Sequence, residues 1–132
     1  MKIVNHLSLV EKSDVLTRGK TGLLKNMMFD QLSEAGFVYG CLEAGEAQKQ
    51  HFHKTGMDIF IIQSGSGIVL TGDIDRNSLD LTNVERHEIK KGDVYFIGIY
   101  QMHAIENSGA EKIEWLNIAP LSHGNEDLYI IN

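Results

Sequence analysis

From Phe37 onward the chain repeats short apolar or alternating runs separated by glycine-containing turns: "FVYGCL", "QHFH", "DIFIIQ", "GIVLTG", "RHEIKKGD", "VYFIGI", "HAIEN" and "KIEWLNIA". Many short strands at such close spacing predict an all-β sandwich or barrel. Successive side chains of a strand point to opposite faces. Asp58, Phe60 and Ile62 therefore share one face, and His51 and His53 share one face with Phe52 opposite. The only proline, Pro120, falls after the last run. The stretch "TGLLKNMMFDQLSEAG" has another rhythm. Leu24, Met28 and Leu32 recur at four-residue spacing beside Leu23 and Met27, and Gly36 closes the stripe. That periodicity predicts one short helix near the N-terminus, over 21–34, whose Met and Leu side chains pack on the core.

Length and charge narrow the class. A chain of 132 residues can bury one sizeable core, and neither a repeat nor a linker divides it, so 1–132 reads as a single domain. Lys and Arg number 12 against 18 Asp and Glu, for a net charge of −6, with no run of like charge. A basic face for nucleic acid or an anionic membrane is thereby excluded. Cys41 stands alone and cannot form an internal disulfide, and the start "MKIVNHLSLVEKSD" lacks the apolar run of a signal peptide or membrane span. A soluble protein of a reducing cytoplasm is expected.

The candidate chemistry lies in "HFHKTGMD", residues 51–58. On one strand face His51 and His53 stand about 7 Å apart along the backbone, and two such imidazoles can converge on one ion. The glycine in "KTGM" predicts a hairpin loop that doubles the chain back and brings Asp58 alongside His53. Two nitrogens and one oxygen form a partial site, because Zn, Fe, Mn, Ni or Cu take four or more donors. The candidate fourth ligand is His103, which opens a strand after "GDVYFIGIYQM". His6, His87 and His123 read as structural or solvated, Cys41 as a small buried hydrophobe, and Trp115, Tyr39, Tyr95 and Tyr100 as wall or core. The "SGSG" at 64–67 is read as a strand turn, since no helix follows and no Lys closes a phosphate loop.

These residues resemble the cupins. The family's first motif runs glycine, His-x-His, a glutamate and a glycine, and Gly45, His51, His53 and Gly65 fall in its register with Asp58 at the glutamate position. The second motif is matched by Gly92, His103 and Asn107, with Gly98 in place of its proline and Tyr100 in place of its glycine. The resemblance covers residues 37–118. It implies an antiparallel double-stranded β-helix, or jelly-roll barrel, often a homodimer, with a divalent metal held by three histidines and a carboxylate. It also implies strands where periodicity predicts the helix over 21–34. Asp58 is one methylene shorter than the family glutamate, about 1.5 Å, so it ligates after a strand shift, through water, or only by orienting a histidine. Tyr100 resists a turn with positive φ, which Gly98 can take instead.

Function follows from the site and not from the fold alone. The expected metal set is His51, His53, Asp58 and His103, walled by Phe60, Ile62, Tyr100 and Ile105. A divalent ion there could polarise a carbonyl, activate water, or do redox chemistry. The leading expectation is a metal-dependent enzyme acting on a small organic molecule: an oxygenase, isomerase, lyase or decarboxylase. The alternatives are a non-catalytic binder of a small molecule or metal, and a metal-independent epimerase or isomerase using His53 and a tyrosine. With no Lys or Arg at a certain inward position, strongly anionic substrates are disfavoured.

Overall fold

Strand alternation sorts this chain into two faces throughout. A computed structural model describes residues 16–29 and 35–132. Their strands are β1 (Thr17–Arg18), β2 (Leu24–Phe29), β3 (Gly36–Leu42), β4 (His51–Phe52), β5 (Asp58–Ser64), β6 (Ser66–Ile74), β7 (Leu81–Lys90), β8 (Val94–Ile97), β9 (Gln101–Glu106), β10 (Ile113–Ala119) and β11 (Tyr129–Ile130). All pairings are antiparallel. One sheet has the order β1-β2-β3-β10-β5-β8, the other β11-β4-β9-β6-β7. The protein is all-β, and its one helical turn among the described residues is a 3₁₀ helix at Leu121–Gly124.

The inner faces of the two sheets meet in a buried cluster of Leu42, Phe60, Ile62, Val69, Ile89, Ile97, Ile105, Ile113 and Trp115. Each such side chain contributes about 1.5–3 kcal/mol relative to exposure. Alternation sets who joins it: on β9, His103 and Ile105 face inward, while Met102 joins Phe52, Leu70 and Ile74 in a separate cluster. A third cluster gathers Tyr39, Cys41 and Leu116, so Cys41 is the buried hydrophobe its surroundings suggested. Burial pushes its thiol pKa up.

Three expectations need correction. Residues 24–29 form strand β2, paired with β3, and not a helix. A four-residue spacing is an even number as well as roughly one helical turn, so Leu24 and Met28 satisfy a strand equally well, and pairing with β3 decides. Leu32 lies outside the described residues. The link from His53 to Asp58 is likewise no hairpin, because β4 and β5 belong to different sheets. It crosses the barrel, and that crossing carries Asp58 to the histidines. The left-handed residue before His103 is Tyr100 itself, at φ 53°, and not Gly98. Such a conformation costs a bulky residue about 1–3 kcal/mol. Hydrogen bonds on both sides hold it: Tyr100 N–H donates to the His53 carbonyl at 2.8 Å, and Ile74 N–H donates to the Tyr100 carbonyl at 3.0 Å.

Gly65 alone separates β5 from β6, and there the chain changes sheets at φ 79°. A Cβ at this position would press on the Lys112 carbonyl, well inside van der Waals contact. Gly65→Ala should therefore lose about 2 kcal/mol or more of stability, read from the denaturant midpoint at unchanged slope. A midpoint equal to the parent's would contradict the strain assigned to this turn.

Candidate metal centre

Strand pairing assembles the histidines. His51 on β4 lies directly across from His103 on β9. His53 follows just beyond the end of β4, and Asp58 opens β5 from the other sheet. All four are buried, none more than 5% exposed. One ring nitrogen from each of His51, His53 and His103 lies within 4.8 Å of the other two.

Backbone carbonyls decide how these rings present themselves. His51 Nδ1 meets Lys49 O at 2.7 Å, His103 Nδ1 meets Gln101 O at 3.1 Å, and His53 Nδ1 meets Asp127 O. A carbonyl can only accept, so each Nδ1 carries the proton. With Nδ1 committed in this way, each ring turns Nε2 to the interior, the nitrogen left to bind a metal ion. Burial, with His103 alongside, holds the His51 pKa well below 6.5, which keeps that ring neutral.

Asp58 meets these lone pairs with one of its own. Its Oδ2 stands 3.2 Å from His53 Nε2 and 3.3 Å from His103 Nε2. Oδ2 and His103 Nε2 are fully buried and have no hydrogen-bond partner. Lone pairs that close repel unless a cation or proton lies between them. Donors on one tetrahedral ion at ~2.0–2.2 Å stand about 3.3–3.6 Å apart, and closer at right angles, so the spacing fits a metal centre.

The other carboxylate oxygen is engaged by a residue that sequence reasoning assigned to structure. His123, on the 3₁₀ helix, donates from Nδ1 to Asp58 Oδ1 at 2.9 Å, and its Nε2 donates to Thr55 O. Both ring nitrogens face acceptors, so both carry protons and the ring is an imidazolium. Burial opposes that charge, but Asp58 outweighs it and the pKa is raised above 6.5. For Asp58, burial likewise opposes ionisation, and the hydrogen bond from His123 works against it, so the carboxyl is held below the ordinary range. With both nitrogens committed as donors, His123 pairs with Asp58 instead of ligating. Nothing near "PLSHGNED" signalled this, because its partner lies 65 residues away. Asp127 was also missed. Its carboxylate accepts from Lys54 N–H, Thr55 N–H and Thr55 Oγ1–H at 2.8, 2.9 and 2.7 Å, while its carbonyl takes the His53 proton.

A cavity of about 80 Å³ opens over these groups. Of the expected wall residues, Phe60 lines it, with Val38, Trp115 and Leu128. Ile62 and Ile105 lie in the apolar core, and Tyr100 packs with the Phe52 cluster. The motifs place no Lys or Arg at a certain inward position, but outside them Lys20 and Lys25 line the cavity. His87 is on the exposed strand β7, and His6 lies outside the described residues. Asn107 closes a turn, donating to Leu42 O and Glu111 O at 3.1 and 2.7 Å.

No family model matches the chain, and no curated protein matches it by sequence. Solved structures match it in fold. An uncharacterized conserved protein with a double-stranded β-helix domain from Klebsiella pneumoniae superposes with a TM-score of 0.67 at 19% identity, over 90% of this chain and 92% of that one. A Cupin 2 conserved barrel domain protein from Salinispora arenicola gives 0.65 at 15% identity, over 89% and 87%. Oxalate decarboxylase from Lactobacillus farciminis, in a formate complex, gives 0.62 at 17% identity, over 80% of this chain and 30% of that one. The chain thus has the double-stranded β-helix fold of the cupin barrels.

Removing His123 should leave a buried carboxylate uncompensated. His123→Ala is expected to lose about 3–5 kcal/mol of stability, and a double-mutant cycle with Asp58→Asn should show coupling of about 1 kcal/mol or more. Additive losses would argue against the ion pair.

Proposed function

We propose that this protein is a metal-dependent enzyme acting on a small organic molecule, with His51, His53 and His103 as ligands and Asp58 facing the ion through Oδ2. The observation that carries the proposal is the set of three carbonyl-locked imidazoles whose Nε2 atoms converge with an unpartnered buried carboxylate oxygen. A divalent ion there would polarise a substrate oxygen or, as iron, manganese or copper, supply redox chemistry. The chain's own residues do the rest. Lys49, Gln101 and Asp127 carbonyls orient the rings, His123 and Asn117 fix Asp58, and Phe60 and Trp115 exclude water from one side of the cavity. An oxygenase, isomerase, lyase or decarboxylase reaction suits such a site, and the oxalate decarboxylase with the same fold is one instance of such chemistry.

The metal-independent alternative has less support, because no tyrosine is among the described residues lining the cavity with His53. The homodimer belongs to the same proposal and rests on the resemblance. A mass of one chain by light scattering would overturn it.

Elemental analysis of protein purified without a metal-carrying tag should find close to one divalent ion per chain, and little in His51→Ala or His103→Ala. Asp58→Asn should weaken the ion by ~10–100-fold if the carboxylate only orients its neighbours, and by more if it ligates. Chelation should leave the β-sheet circular dichroism intact, because the apolar cluster stands without the ion, and should abolish turnover found by screening small oxygen-bearing molecules for oxygen uptake or product mass. Equal metal in parent and variants would overturn the site, and tight binding without product would make the protein a binding module.

A further inference from the structure

We infer that the cavity takes a small organic anion and that Lys25 binds its charged end. This rests on the metal centre proposed above and adds the class of molecule it acts on. Lys25 lies on β2, and its side chain lines the same cavity as His51, His53, Asp58 and His103. It is partly buried, with Nζ against the stretch that carries His123: a Cβ on Gly124 would lie 3.3 Å from it. Lys20, the other lysine lining the cavity, is committed to Asn125 Oδ1 at 2.6 Å. Among the described residues Lys25 has no acceptor within hydrogen-bond distance of its ammonium. A half-buried ammonium with unused donors, at the rim of a metal site, is suited to an oxyanion.

The charge balance of the site points the same way. Asp58, the one carboxylate among the described residues that line the cavity, is paired through Oδ1 with His123 at 2.9 Å. Asp127, the next carboxylate, is 3.7 Å from His123 and saturated by Lys54 and Thr55, and it does not line the cavity. Against that single carboxylate the cavity lining sets two lysines, Lys25 and Lys20, before any divalent ion is added. A carboxylate ligand would complete the balance.

Volume sets the size of that ligand. A cavity of about 80 Å³ is several times the ~10–15 Å³ that one water needs, which is room for a small molecule only. That is a short dicarboxylate or an oxo or hydroxy acid, with its carbon skeleton against Phe60, Val38 and Trp115, one end towards the ion and a carboxylate at Lys25.

Calorimetric titration of the metal-loaded protein with malonate and succinate, against malonamide and succinamide, tests this. The dianions should bind at least about tenfold more tightly than the neutral diamides, Lys25→Met should lose about tenfold or more, and Lys25→Arg should recover most of it. Metal content, read on the same samples, should be equal in all three proteins. Binding by Lys25→Met within twofold of the parent, or diamides equal to dianions, would overturn the inference while leaving the metal centre standing. Inorganic phosphate bound more tightly than either dicarboxylate would overturn the organic-acid assignment. A parent that holds no ion would overturn both readings together.

Discussion

A carboxylate at 2% exposure is the constraint around which this end of the barrel is arranged. Ionised and alone in such a place, Asp58 would be strongly destabilising, so its two oxygens need partners. One oxygen has them, with His123 Nδ1–H at 2.9 Å and Asn117 Nδ2–H at 3.4 Å. That contact docks the 3₁₀ helix at Leu121–Gly124 onto the barrel mouth, and the same segment brings Asp127 over the 54–55 turn. His53 is then oriented by the Asp127 carbonyl. The metal-facing geometry of His53 is thus a consequence of how a segment far away in sequence satisfies the charge of Asp58.

What sequence could reveal was decided by distance along the chain. His51, His53 and the face shared by Asp58, Phe60 and Ile62 follow from strand alternation, and His103 from the Gly-Asp turn, strand and loop that precede it within the motif spacing of Gly92, His103 and Asn107. Those relations are local, so they were legible. His123 was not, because its role depends on a carboxylate 65 residues earlier and no pattern around "LSHG" encodes the meeting. Lys25 was hidden differently. Read on a helix, "LLKNMMF" offers no reason to turn a lysine into the barrel, whereas as β2, paired with β3, it lines the cavity. The glycine expected to turn the chain before His103 was also wrong, since local propensity favours Gly98 while the bonds from Tyr100 and to it are tertiary.

The barrel separates stability from chemistry along its length. β9 shows this within two steps, with Ile105 in the apolar cluster and His103 at the site. β5 does the same, running from Asp58 through Phe60 to Ile62. Phe60 is the hinge between the two regions, since it belongs to the apolar cluster, lines the cavity and lies 5.9 Å from the His103 ring by centroid. A fold whose core lies on one side of such a residue can change what happens on the other with little loss of packing.

The same geometry explains why an aspartate serves at a position where the cupin motif that this chain resembles has a glutamate. Oδ2 of Asp58 is already 3.2–3.3 Å from two imidazole nitrogens. Another methylene would advance the carboxylate by about 1.5 Å, comparable with a metal–oxygen bond, and drive it into the rings. It would also draw Oδ1 away from His123, whose other nitrogen is anchored to the Thr55 carbonyl and cannot follow. The shorter acid lets one carboxylate hold an imidazolium behind it and face the imidazoles in front. That double engagement sets Asp58 as the one carboxylate of a cavity that Lys20 and Lys25 also line, among the described residues.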